Sequence, residues 1–460
     1  MRLSEQTLGP TSQVFEVTAQ DILDQNARSV ADALRFVPGL FLSVGGGKNP
    51  SSATIRGLTV RQTIVFIDGR PVYDPFFGDV DLNNLPIDNV DKIKVVKGPV
   101  DAAYGPNAIG SVINIVTKRG TAVPTTRLTA SYESHNTQDY WLQHGGRKGG
   151  FNYFLAGSYR RSNGFPLASD FQPTPVQPTD VRENAAYEKG NLSLNLGYDF
   201  SQTSRIAFQA GYYSADLENP VNINLQSGGR LGGGLTFTNF PTWKRQYLDL
   251  YGTTRLFDRL ELRGNVYYDR FSNDLVFYPN QLFSQYTDIS RDRNDVYGTN
   301  LQAAYDLTKQ FRLKAGTFLK QDNIDFESLG QAPGNTYYHQ VNSRLTYQSP
   351  VGLSGFLQLS YIDGSPFTNA DFSPGRLPTY TNFVLLNGKL MYEVRKGLKP
   401  YLAFENLLDS DYARNPGFPE PDGAYSSGCM RAFEVEEQSM RRFSGGGVNE
   451  EGLRPMSRRV

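Results

Sequence analysis

The side chains able to do chemistry in this sequence are sparse and poorly spaced for catalysis. The three histidines, His135, His144 and His339, stand far apart with no metal-ligand spacing and read as polar surface or lumen residues. A single cysteine, Cys429, forbids an internal disulfide and a cysteine-built zinc or iron–sulfur site. Gly45-Gly46-Gly47-Lys48 is followed by neither Ser nor Thr and opens no helix, so it is no phosphate loop. Asp288, Asp292 and Asp295 gather acid in what reads as a loop, but without the regular spacing of a calcium loop, and a solvated loop is the plainer account. No nucleophile–base arrangement is legible, and no metal or cofactor is implied. What remains is binding chemistry. Tyr73-Asp74-Pro75-Phe76-Phe77-Gly78-Asp79 combines aromatic faces, carboxylates and backbone amides, enough to hold a bulky, partly apolar ligand, and Lys48 is placed to attract an anionic one. Both stretches are equally compatible with ordinary loop chemistry.

Composition narrows the elements that can carry such loops. With 46 basic and 46 acidic side chains the chain is neutral, which argues against nucleic acid or an anionic surface as a partner held by bulk charge. Its 27 Tyr, 29 Phe and 45 Gly, set against only 39% hydrophobic residues, favour β structure. No apolar run reaches the roughly 18 residues of a spanning helix, and the first residues carry no apolar signal region. From Gln13 to Lys118 the pattern is mixed: a strand around Val14–Val17, a helix capped by Ser29 with Val30, Leu34 and Val37 on one stripe, a stop at Pro38-Gly39, and further strands near 53–56, 63–67, 93–96 and 112–117. This predicts a small α+β domain with long loops.

After Gly120 strict alternation takes over. Leu192, Leu194, Leu196 and Tyr198 interleave with Ser193, Asn195 and Gly197, and the same grammar recurs through residues 205–214, 259–271, 295–307, 311–322, 353–362 and 383–394. Tight turns near 146–150, 201–204, 257–258, 308–310, 349–352 and 395–397 alternate with long connections at 163–187, 215–243, 272–294, 322–338 and 363–382. Short turns at one end and long loops at the other are the signature of an up-and-down barrel in an outer membrane. A soluble secreted β-sheet protein, carbohydrate-binding for instance, shows the same period of two, because alternation alone does not say which face is wet.

The first domain carries a resemblance that decides between them. Ile55-Arg56-Gly57-Leu58, Val65-Phe66-Ile67-Asp68-Gly69-Arg70-Pro71-Val72, Val95-Val96-Lys97-Gly98-Pro99 and the run from Tyr104 to Ile115 resemble, in order and spacing, the plug domain of TonB-dependent outer-membrane receptors. Phe404-Glu405-Asn406-Leu407 resembles the segment before that family's last barrel strand. The resemblance implies a mainly β fold: a membrane-spanning antiparallel up-and-down β-barrel with a small α+β plug domain in its lumen. It implies a monomer in the outer membrane of a Gram-negative bacterium, in contact with its lipid and driven by the TonB energy-transducing complex. The cargo would be a ferric siderophore, with vitamin B12 or another bulky nutrient as the alternative, and no enzymatic activity is expected. Lys48, Tyr73, Phe76 and Phe77 are the expected substrate contacts on outward plug loops. Arg56, Arg61, Lys97 and Lys118 are the expected plug–barrel contacts, facing carboxylates such as Asp199, Glu261 or Asp306. Lys94 stands where the family usually has a glutamate, so one pairing must differ.

The resulting organisation is an N-terminal segment 1–12, a plug 13–120, an incomplete barrel 121–421 and an aberrant tail 422–460. The alternation yields thirteen strands, whereas single-chain barrels close on an even number and plugged transporters have about 22. A signal peptide, the TonB-contacting segment and one return strand are expected to be missing, and a narrow barrel would leave little room for the plug. The only cysteine and three of the five methionines fall after residue 421, which suggests a shifted reading frame and a truncated, non-functional receptor as a further alternative.

Overall fold

The structure is a computed structural model and describes residues 13–43, 52–55, 63–75, 78, 80–97, 111–221, 237–327, 334–349, 351–363, 382–394, 398–410, 413–415, 418–419 and 424–431. Arg56, Arg61, Lys48, Phe76 and Phe77 lie outside the described residues, as do the glycines at 57, 98, 105 and 110 and the end of the chain after 431.

The plug is a five-stranded sheet of β1 (Gln13–Thr18), β4 (Thr63–Ile67), β5 (Arg70–Val72), β6 (Val90–Lys97) and β7 (Ser111–Thr117), in the order β1-β6-β7-β4-β5, with β2 (Leu40–Ser43) and β3 (Ser52–Ile55) as a separate pair. Only β4 and β7 run parallel. Two short helices cover it. Thr18 caps α1 (Ala19–Asp24) in a reciprocal box with Asp21, and the Ser29 side chain accepts from the Asp32 amide at the start of α2 (Val30–Leu34). The sequence reading found α2 and missed α1. Val30, Leu34, Ile93 and Ile113 are fully enclosed between helices and sheet. Asp68 and Gly69 both take positive φ, which makes the two-residue turn between β4 and β5.

The rest of the described chain is a 14-stranded antiparallel meander in which each strand pairs with the next. Its members are β8 (Thr125–Glu133), β9 (Thr137–Lys148), β10 (Phe151–Ser162), β11 (Tyr187–Asp199), β12 (Arg205–Asn219), β13 (Phe237–Leu256) and β14 (Leu260–Tyr278). They continue as β15 (Asp288–Asp306), β16 (Phe311–Glu327), β17 (Gly334–Gln348), β18 (Leu353–Asp363), β19 (Asn382–Tyr392) and β20 (Leu398–Glu405). A small hairpin, β21 (Ala413–Asn415) with β22 (Phe418–Pro419), stands apart before β23 (Ala424–Arg431) closes the count against β20. Among the described residues β8 and β23 each have a single partner, so the sheet has two ends.

Two expectations change here. Residues 424–431, assigned to an irregular tail, form the fourteenth strand: an unpaired edge of β20 offers backbone hydrogen bonds to any extended segment, so alternation is not required of its partner. Residues 272–278 and 288–294, assigned to a loop, are strand, because β14 and β15 stay paired well beyond the apolar belt.

Which face is buried excludes the soluble alternative. Leu250, Val266 and Leu301 are 48%, 60% and 49% exposed, while their sequence neighbours Asp249, Asn265 and Asn300 are 1%, 4% and 5% exposed. A water-soluble sandwich buries the opposite set. The apolar face is therefore the lipid face, and the polar face encloses the plug.

Candidate functional site

The chemistry of this molecule is concentrated in the seam between plug and wall, and strand parity builds it. On the wall strands β9 and β11–β16 alternate side chains face inward, which presents Asp139, Asn195, Gln209, Asp249, Asp269, Asp292 and Asp322 to the plug. The plug answers from its loops and strand ends.

Arg70, the residue after the β4–β5 turn, is enclosed in the seam. It is 1% exposed, pairs with Asp269 on β14, and lies over the Tyr247 ring at 4.1 Å. Arg245 also reaches Asp269 at 3.1 Å and donates to the Tyr73 carbonyl at 2.7 Å. Arg28, ahead of α2, pairs with Asp139 and Glu133 and donates to the Ser131 hydroxyl. Asp68 accepts from the Thr117 amide and from Gln209 on β12. The Asn191 side-chain amide donates to both carboxylate oxygens of Asp88 at 3.0 Å. Asn195 donates to Thr117 and to the Lys118 carbonyl, and Tyr213 donates to Asn84. At the exit from the plug, a side chain on Gly120 would stand 2.0 Å from the Gly146 carbonyl, so only glycine lets the chain pass the wall there. A cavity of about 400 Å³ remains between α2, the 85–88 segment and β9–β12, lined by Arg28, Asp88, Trp141, Arg160, Lys189 and Tyr213.

The site residues named from sequence fare unevenly. Lys118 meets the wall, donating to Gln143 at 3.3 Å and to the Asp88 carbonyl within the plug; its partner is an amide rather than a carboxylate. Burial, then the charge of Arg127, lowers the Lys118 ammonium from its usual range. The contacts described for Lys97 lie inside the plug, where its ammonium covers the Phe15 ring at 4.1 Å. Tyr73 is turned to the wall: its hydroxyl donates to Asp322 at 2.8 Å and Lys320 lies over its ring. Burial, and after it the charge of Asp322, raises that phenol well above its usual value. Asp199, Glu261 and Asp306 serve wall arginines instead: Arg147 with Asp199 at 3.0 Å, Arg312 with Glu261 at 2.7 Å and Arg255 with Asp306 at 3.5 Å. They sit by the short turns, where cross-strand neighbours such as Arg205 opposite Asp199 and Arg312 opposite Asp306 are already in reach. Lys94 finds Glu16 across the β1–β6 pair at 3.3 Å, with Lys92 on the same carboxylate at 3.0 Å. Asp288, Asp292 and Asp295 do not form a cluster. Asp295 faces outward and accepts from Tyr268, whereas Asp292 faces the plug.

Residues 6–112 match the family model described as TonB-dependent Receptor Plug Domain. Solved structures similar to the chain include the copper transporter OprC, at 16% identity and TM-score 0.63, covering 86% of this chain and 62% of that one. The FrpB iron transporter from Neisseria meningitidis is 13% identical with TM-score 0.69, covering 86% and 65% respectively. The siderophore receptor PirA from Acinetobacter baumannii is 15% identical with TM-score 0.64, covering 90% and 62%. The chain thus spans less than two thirds of the length of each. At these identities the likeness establishes the fold, a plug seated against a barrel wall. The plug match names a domain of TonB-dependent receptors, and the apolar outer face of the wall is the face a bilayer would cover.

Proposed function

We propose that this chain, which carries the plug domain of the TonB-dependent receptors, is an outer-membrane receptor for energy-coupled uptake of a ferric siderophore rather than an enzyme. The observation that carries the reading is the seam: a folded plug held in a polar enclosure by side-chain bonds that can be broken without touching the strand ladder. Outer membranes hold no nucleotide energy source, so release of the plug needs force from the TonB complex acting on the segment ahead of β1. Cargo enters from the long-connection side, Lys48, Phe76 and Phe77 are the proposed contacts, and Tyr73, expected from sequence to touch cargo as well, donates to Asp322 of the wall. Iron chelates suit this chain better than bare copper, because soft ligands are scarce: 3 His, 5 Met and 1 Cys in 460 residues. A corrinoid is the second cargo class with the same bulk.

Two measurements test this in sequence. Heat-modifiable migration of the protein from the outer-membrane fraction checks insertion, and a soluble folded monomer would end the transport reading. Uptake of labelled iron from a panel of ferric siderophores, in cells with and without functional TonB, then checks cargo. An inserted protein that takes up none of them, but does take up a corrinoid, would overturn the siderophore assignment alone.

A further inference from the structure

Arg70 uses only part of its guanidinium fork. Nη1 pairs with Asp269 on β14, while Nη2 is buried with no hydrogen-bond acceptor. A second carboxylate beside it has the opposite deficit: Asp249 on β13, 1% exposed, accepts from Asn265 Nδ2 at 3.1 Å through Oδ1 and has no donor on its buried Oδ2. Arg70 is the leading positive charge acting on Asp249. Asp68, which also acts on Asp249, already accepts from Thr117 and Gln209. A buried donor and a buried acceptor are thus both left unmade next to each other, each forfeiting a bond it would have in water.

Strand register fixes how the two acids are related. Tyr247 stands opposite Asp269 and Asp249 opposite Tyr267, so the acids are diagonal neighbours on the inward face, about 7–8 Å apart. Asp249 lies one side-chain repeat nearer the short turn between β13 and β14 than Asp269 does. The Tyr247 ring under the guanidinium, at 4.1 Å, lies flat because Gly211 opposite it has no side chain to run into the ring. A planar cation over an aromatic face keeps its attraction as it slides, since no fixed hydrogen bond ties it there. Asp269 is not stranded by such a slide, because Arg245 already donates to its other oxygen at 3.1 Å. We propose that Asp249 is a second seat for Arg70, which receives the plug arginine when the plug shifts toward the short turns. On the transport reading above, on which this guiding role rests, that is the direction of the pull by TonB, so the buried charge passes from one carboxylate to the next and is never left bare.

Coupling between the two acids reads the seat without any transport. In the purified full chain in detergent, the urea midpoint for proteolytic cleavage of the plug is expected to move little in Asp249→Asn and to fall modestly in Asp269→Asn, where Arg70 takes the second seat. In the double variant it should fall by well over the sum of the two single shifts. A structure of Asp269→Asn should show Arg70 against Asp249. Shifts that simply add, or an Arg70 that stays facing residue 269 in that structure, would overturn the second seat. The guiding role has its own readout: uptake of whichever labelled ferric siderophore of the panel the parent takes up should slow severalfold in Asp249→Asn, with binding to the cell surface unchanged. Uptake at the parent rate in that variant overturns the guiding role, whereas a parent that takes up none overturns the transport reading and leaves the seat to be judged by the coupling.

Discussion

Asp88 shows what a buried residue in the seam does to the whole. Burial first, against the opposing hydrogen bonds from Asn191 and Ser158, raises its carboxyl above the ordinary value near 3.8. An acid whose folded pKa is raised keeps its proton longer in the native state than in the unfolded one. Its contribution is therefore fully present below the ordinary value and is lost as pH rises through the folded one. Asp88→Asn removes that loss, so stability of the variant should gain on the parent as pH goes from acid to neutral, read by melting temperature across a pH series. Equal slopes for the two proteins would refute the assignment. Glu16 behaves oppositely: burial raises it, but Lys92 and Lys94 together outweigh burial and lower it, so its contribution is present at neutral pH and lost as acid protonates it. Neither effect was legible in the sequence. Lys94 advertised a broken pattern, but its partner lay 78 positions upstream on a strand whose pairing only the fold supplies.

At the scale of elements the sequence was far more informative, because a period of two survives in any strand with two different faces. The short turns, the central parts of β9–β20 and the Asp68-Gly69 hairpin followed from local pattern, whereas β12–β17 run further into the long connections than alternation showed. What alternation withheld was direction, and hence which inward carboxylates the plug would use. Asp269 and Asp322 sit in phase with Asn265 and Asn300 on the lumen side, and an acid recurring among inward amides was the available signal. The structure makes the direction testable. Leu250→Arg, near the middle of the belt on β13, should destabilise the protein in lipid by about 2–4 kcal/mol, measured by equilibrium refolding into vesicles. A soluble sheet would tolerate an arginine at a site already 48% exposed, and a change of a few tenths of a kcal/mol would contradict the lipid assignment.

For the molecule as a whole, the question is how firmly the plug is held. Arg70 supplies the tightest tie, and Arg70→Met leaves Asp269 with Arg245 alone, so the loss should fall near the low end for a broken buried pair, about 3 kcal/mol. Limited proteolysis in rising urea would read it: cleavage of the plug should begin at lower urea while the wall strands remain protected. Simultaneous loss of both would mean that plug and wall unfold as one unit. The described strands seat the plug along β8–β16, in a sheet whose ends β8 and β23 are not paired with each other. Every tie described between the two parts runs through at least one side chain and none is a backbone ladder. Such an assembly behaves like a stopper held by many small wet catches: each can let go and be replaced by water in turn, so a steady pull draws it along the wall without tearing the vessel.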